Sequence, residues 1–266
     1  MSRIAIYGVG NMGEAVLAGL LRAGQDPDEI TVVEPNPERA DEIGARHGVT
    51  ARSASEAATW GEIHLLIVKP HQVPDLLDEI GDSLGADDIV ASLAAGVPTA
   101  TIEGRLPAGI AVVRVMPNTP ALVGQGMAAL SAGAAATDEQ VERVAEVLRT
   151  GGSAVIVPES QQDVVTGLSG SGPAYVFYIA EALIEAGVVL GLPRTSASEL
   201  ATQTLLGAAT MLRESGEHPS ILRERVTSPG GTTAAGLRTL DEHAVRAAVM
   251  AAVEAAAERS AELGRG

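Results

Sequence analysis

The sequence predicts an α/β domain built on a parallel sheet over residues 1–158, followed by an all-helical domain over residues 159–266. Two observations predict it. In the first 157 residues short β-branched runs alternate with longer amphipathic stretches, the pattern of strand, helix, strand that yields a parallel sheet with helices on both faces. After VIVPES the strand pattern stops, and from residue 173 the chain is nearly all helix, rich in Ala and Leu and interrupted only at GLPRT and SPGGTT. The boundary therefore falls near Pro158.

Element by element, RIAIYG, ITVVE, IHLLIV, DIVASL, IAVVRV and SAVIV read as strands, each a short apolar run bounded by turn residues. Helices are expected over 11–23, 37–47, 71–81 and 138–149. In the second part, Pro173 after SGSG suits the first turn of a helix, where its missing N–H costs nothing. The segment AYVFYIAEALIEAGVVL then carries only Glu181 and Glu185 as charges, and ASELATQTLLGAATML is nearly as poor in them. Helices so apolar all round need burial on most sides, yet the glutamates and flanking polar sequence argue against a membrane span. One core in about 108 residues does not hide two such helices, and a second subunit does. Tyr175, Phe177 and Tyr178, three of the five aromatics in the chain, are read as packing anchors of that association.

Composition narrows the function. With 46% hydrophobic and 20% charged residues the chain is globular, and at a net charge of −16 it repels nucleic acid and anionic lipid. Cys is absent, and the five histidines lie scattered without ligand spacing, so no disulfide, thiolate nucleophile or metal site is expected. The opening MSRIAIYGVG runs directly into a strand without a secretory pattern, and a cytoplasmic protein is expected.

The chemistry begins at IYGVGNMGEAVLAGLL, which places G-x-G-x-x-G at Gly8, Gly10 and Gly13 between the first strand and the first helix. Gly8 permits a tight turn, Gly10 lets backbone approach a pyrophosphate, and Gly13 lets helix and strand pack closely; the helix N-terminus supplies positive character. This is the pattern of a Rossmann-type dinucleotide-binding turn, although a tight turn with no ligand reads the same way. Twenty-one residues after Gly13, Glu34 ends the second strand, where a carboxylate accepts from a ribose 2′-hydroxyl and favours NADH. Asn36 and Arg39 follow and can instead receive a 2′-phosphate, so both cofactors stay open. Lys69, the only lysine in the chain, stands at a strand end in LLIVKPHQ, and SLAAGVP and RVMPNTP put small or turn residues at the same sheet edge, where backbone can lie against a flat ring.

VTSPGGTTAAGL, residues 226–237, places a turn at Pro229, Gly230 and Gly231 before a helix opened by Thr232, Thr233 and Ala234. Free N–H groups there form a carboxylate site, to which Ser228 can add a hydroxyl. A helix merely capped by Ser or Thr reads the same way.

GVGNMG, IVKPH, SLAAG, RVMPNTP, LSGSGPAYVF and VTSPGGTTAAGL, in this order and across essentially the whole chain, resemble the pyrroline-5-carboxylate reductases. The resemblance implies reduction of 1-pyrroline-5-carboxylate to L-proline with NADPH or NADH, the last step of proline biosynthesis, by a Rossmann domain joined to a helical dimerisation domain whose subunits interlock. It implies that Ser228, Gly230, Gly231 and Thr232 hold the substrate carboxylate and that Thr233 sits at the ring nitrogen as the catalytic side chain. Gly8, Val9, Gly10, Asn11, Met12, Gly13, Glu34, Asn36, Val68, Lys69, Pro70, Ala94, Ala95, Gly96, Met116, Pro117 and Asn118 would bind the cofactor. Dimers are expected, with a larger ring open. Two alternatives stand beside this reading: a related imine or hydroxyacid reductase, although the lysine that hydroxyacid dehydrogenases use as acid is missing from the interdomain helix, and a dinucleotide-binding regulator without catalysis.

Overall fold

A computed structural model describes residues 2–264. The first strand, β1 (Ile4–Tyr7), is buried along its whole length, as a strand covered by helices on both sides must be. Its side chains alternate between two cores: Ile4 and Ile6 join one face, Ala5 and Tyr7 the other. Helix α1 (Asn11–Arg22) buries Val16, Leu17 and Leu20. After β2 (Ile30–Val33), α2 (Pro37–His47) starts on a proline in its first turn, with Asn36 accepting from the Glu38 N–H, and stops at Gly48 in the left-handed region. A short β3 (Thr50–Ala51) leads to α3 (Ala54–Trp60), opened by a reciprocal cap between Ser53 and Glu56. Then come β4 (Ile63–Leu66), α4 (Val73–Ile80), β5 (Ile89–Ser92), α5 (Thr99–Glu103), β6 (Ala111–Met116), β7 (Gly126–Ala132), α6 (Asp138–Arg149) and β8 (Gly152–Ile156).

The strands order as β3-β2-β1-β4-β5-β6-β7-β8. From β3 to β6 every pair is parallel, and the order reverses at β1, so the carboxyl ends of β1 and β4 flank the crevice where such sheets bind ligands. The sheet is not parallel throughout. β7 pairs antiparallel with β6, and β8 runs parallel to β7, so the expected parallel strand SAVIV points the other way. The reason is the link: residues 117–125 hold one 3₁₀ turn, too little chain for the helical crossover that a parallel pair requires.

The chain then winds helically from Glu159 to Val189 with one irregularity. After α7 (Gln162–Val165), residues Thr166–Gly170 form a π-helical turn closed by the Ser171 N–H on the Thr166 carbonyl at 2.8 Å, and α8 (Gly172–Val189) continues. Pro173 thus follows a bulge inside a longer helical run, where a helix start was expected. Pro173 has no N–H to give, and the wider turn before it absorbs the lost bond.

Two compact units result. One runs to Ser171 and takes back the stretch from Ala255; the other is Gly172–Glu254. The second contains α8, α9 (Arg194–Ser215), α10 (Pro219–Arg225), α11 (Thr232–Glu242) and most of α12 (Val245–Leu263). Within it α8 and α9 approach through small residues, since a Cβ on Gly187 would lie 3.1 Å from that of Ala197, and Arg194 pairs with Glu185 at 2.8 Å. Its core is thin: α8 buries nothing, and α9 buries only Ala197 and Ala201.

Candidate active site

The glycine-rich loop shows why each glycine stands where it does. Gly8 has φ +96°, its N–H donates to the Val33 carbonyl at 2.8 Å, and a Cβ there would meet the Ile67 carbonyl at 2.9 Å. A Cβ on Gly13 would lie 2.0 Å from the Gly8 carbonyl, so any other residue would push α1 off the loop. Gly10 differs. It caps α1 without a side-chain hydrogen bond, and a Cβ there would meet nothing within 4 Å. The free N–H groups at the start of α1 therefore face space that a phosphate can enter.

Val9 between them is fully buried, and two long-range partners fix its backbone. Its N–H donates to Glu34 Oε2 at 3.3 Å, and its carbonyl accepts from Arg39 Nε at 3.2 Å and Nη2 at 3.1 Å. Arg39 is held in turn by Glu14 and by Glu42, the latter at 2.7 Å. Burial pulls the Glu14 carboxyl upward, but hydrogen bonds from His47, Arg39 and Arg46 outweigh it and hold it at about 2. The Asn36 side-chain oxygen caps α2 by accepting from the Glu38 N–H.

Beside the loop opens a cleft of about 380 Å³ at the ends of β1, β2 and β4, with Gly8, Glu34 and Val68 on its lining. Tyr7, Arg52, Asp75 and Glu79 line it too, and none of them carried a sequence signal. Lys69 is exposed next to Val68 and, with its N–H donating to Gln72 Oε1 at 3.1 Å, starts the turn that Pro70 occupies.

A second group gathers at the ends of β5 and β6. Ala94 is buried, Ala95 exposed, and Gly96 takes φ +77°. The end of α12 arrives here: a Cβ on Gly264 would lie 3.1 Å from the Gly96 carbonyl, and Ser260 Oγ donates to Asp163 at 2.7 Å. Met116 meets the π-helical turn, where a Cβ on Gly170 would strike its methyl at 2.5 Å. Asn118 ties three segments together, accepting from the Met127 N–H at 2.8 Å and donating to the Ser169 carbonyl at 3.2 Å. Pro117 and Met12 line one small cavity, so the α1 start and the β6 end adjoin. Arg114, buried on β6, pairs with Glu159 at 3.3 Å. Burial raises the Glu159 carboxyl, but Thr99 and Arg114 outweigh it and leave it below the usual range.

In the helical unit, α11 begins at Thr232 with Gly231 as its cap residue and no side-chain capping bond. Gly230 takes φ +68°, and a Cβ on Gly231 would fall 2.3 Å from Ser228 Oγ, so that hydroxyl lies at the helix start. Thr233 is half-buried one position along.

Comparison with known proteins decides the family. Residues 159–263 match the model described as pyrroline-5-carboxylate reductase dimerisation, and residues 3–96 the one described as NADP oxidoreductase coenzyme F420-dependent. A pyrroline-5-carboxylate reductase of Corynebacterium melassecola is 45% identical, over 100% of both chains. The chain belongs to the pyrroline-5-carboxylate reductase family. That of Escherichia coli K12 is 41% identical over 93% of each chain. The solved pyrroline-5-carboxylate reductase of Coxiella burnetii superposes with a TM-score of 0.94 at 37% identity, covering 98% of both chains. A pyrroline carboxylate reductase of Plasmodium falciparum, crystallised with NADP bound, reaches 0.87 at 30% identity, over 99% of this chain and 98% of that one. The family's dimerisation match starts at residue 159, whereas the compact units part after Ser171.

Proposed function

We propose that the protein reduces 1-pyrroline-5-carboxylate to L-proline with NADPH or NADH, residues 1–158 binding the dinucleotide and 159–266 the substrate and a second subunit. The observation that carries this is identity of 45% with a pyrroline-5-carboxylate reductase along the whole of both chains. The residues fit the cofactor: Gly10 leaves the α1 N-terminus open to a pyrophosphate, and the cleft at Glu34 has room for a nucleoside. When bound, the cofactor supplies the hydride that adds to the imine carbon as the ring nitrogen takes a proton.

The chain's own work is positioning. The uncapped amides at Thr232 and beyond, with Ser228 Oγ beside them, receive the substrate carboxylate. Thr233 Oγ1 orients the ring nitrogen. The backbone at Ala94, Ala95 and Gly96 and the Met116–Asn118 corner, pinned to the π-helical turn, present a firm wall to a flat ring. An imine protonates more readily than a carbonyl, so no strong acid is needed, and correct placement of reacting atoms supplies most of the acceleration.

We read the exposed faces of α8 and α9 as the dimer seat, with assembly of dimers into a ring left to self-association of the same domain. The run Glu159–Val189 has the length and apolarity to cross a membrane, and no residue of its most apolar 18-residue window is buried within the chain. The dimerisation match over the same residues favours a partner subunit as its cover, and a cytoplasmic enzyme. The test is loss of reduced-nicotinamide absorbance on adding pyrroline-5-carboxylate, with L-proline identified as product. Nucleotide binding without turnover would leave only a dinucleotide-binding regulator.

A further inference from the structure

The cleft at the ends of β1 and β2 carries a charge pattern that bears on cofactor choice, an inference resting on the dinucleotide-binding reading above. Glu34, the first residue past β2, is tethered at both carboxylate oxygens, Oε2 to the Val9 N–H at 3.3 Å and Oε1 to the Asn36 N–H at 3.2 Å. Each oxygen keeps acceptor capacity for a further donor. The carboxylate is therefore a fixed feature of the rim rather than a side chain free to swing away.

The cation that follows Glu34 in sequence is otherwise engaged. Arg39 gives Nε and Nη2 to the Val9 carbonyl and pairs with both Glu14 and Glu42, so its charge is already met twice. The side-chain oxygen of Asn36 accepts from the Glu38 N–H, and its amide NH2, a neutral donor, sets no positive charge against a phosphate. Among the described residues Arg52 is the one cation on the cleft lining; its guanidinium lies over the Trp60 ring at 5.2 Å, and its buried Nε has no hydrogen-bond partner among them. Against that single positive charge the same lining sets Glu34, Asp75 and Glu79.

We propose that Glu34 makes this protein select NADH over NADPH. The carboxylate accepts from the hydroxyls of the adenosine ribose, whereas a 2′-phosphate would bring nearly two more negative charges against a lining already in anionic excess. Arg39 is a positioning residue that braces the glycine-rich loop through Val9 and takes no part in the choice. The Plasmodium relative, crystallised with NADP bound, shares the fold at 30% identity, so the fold by itself does not exclude NADP.

The experiment is calorimetric titration of the purified protein with ADP-ribose and with 2′-phospho-ADP-ribose, which isolate the adenosine half and need no turnover. Wild type should bind ADP-ribose roughly tenfold more tightly or better, the scale of a like-charge contact a few ångströms apart near a surface. Glu34→Ser should bring the two to near parity, and Arg39→Ala should weaken both by the same factor. Tighter or equal binding of the phosphorylated ligand by wild type overturns the proposal, whatever the variants do, as does an unchanged ratio in a folded Glu34→Ser. If wild type binds neither nucleotide, the dinucleotide reading itself falls and takes this inference with it; if both bind and only the ratio disagrees, that reading stands and Glu34 loses its role.

Discussion

Thr233 is the one side chain to which a place at the reacting atoms is assigned, and its neighbourhood allows a clean substitution. Thr233→Val keeps the β-branched shape at the second residue of α11, so the helix survives while the hydroxyl goes. One hydrogen bond to a charged partner is worth roughly 1.5 to 3 kcal/mol, and kcat/KM for pyrroline-5-carboxylate should fall by about one to two powers of ten. Nucleotide affinity, measured separately, should hold. Ser228→Ala should raise KM more than it lowers kcat, because a carboxylate contact exists in ground and transition state alike. A Thr233→Val enzyme at the wild-type rate would leave catalysis to positioning alone. At this scale the sequence was informative where a residue's role is local: Gly8 and Gly13 are fixed by steric needs that spacing encodes. It was silent where the partner is remote. Arg39 looked open to a phosphate, and only folding brings the Val9 carbonyl, thirty residues away, against its guanidinium.

Helices α1 and α2 are tied by a charge cluster, and the tie has a pH signature. Glu14 receives Arg39, Arg46 at 2.6 Å and His47 at 3.1 Å, which holds its carboxyl at about 2 against an ordinary value of 4.5. A depressed folded value means stability that is fully present above 4.5 and is lost as the pH falls from there towards 2. Glu14→Gln should lower the Tm near neutrality, by an amount equivalent to roughly 1 kcal/mol for a partly exposed network, and should lose less between pH 5 and pH 3 than wild type. Parallel melting curves over that interval would show the cluster to be inert. The helices themselves were legible because their caps and apolar spacing lie within the segment: 37–47 and 138–149 are found as expected. Strand β7 was not, since GMAALSA holds no β-branched residue and owes its place to the pairing of Leu130 with Val115 and Ile156 across two neighbours. Nor was the π-helical turn, because Gly and Ser in series also spell a turn; its shape is decided by Pro173 and by packing on Met116 and Asn118.

At the scale of the whole molecule, the sheet-bearing unit closes its own core and the helical unit does not. Phe177 is 68% exposed and Tyr178 76%, on a helix that buries no residue within its own chain. Monomers rarely leave such a contiguous apolar face to water, and burying each large side chain returns roughly 1.5 to 3 kcal/mol, so several together outweigh the cost of bringing two chains together. The folded state of residues 172–254 therefore depends on association, and stability should rise with protein concentration. Phe177→Glu combined with Ile184→Glu puts two charges on this face, where burial without a partner is costly. The double variant should sediment as aggregate or as a chain whose helical signal has largely melted, while wild type sediments as a dimer or larger. Its sheet domain, with both hydrophobic clusters intact, should still bind ADP-ribose if it remains soluble. A well-folded, active monomer, from wild type or variant, would mean that the exposed helices are stable in water and that the family's dimerisation segment has lost its purpose in this chain.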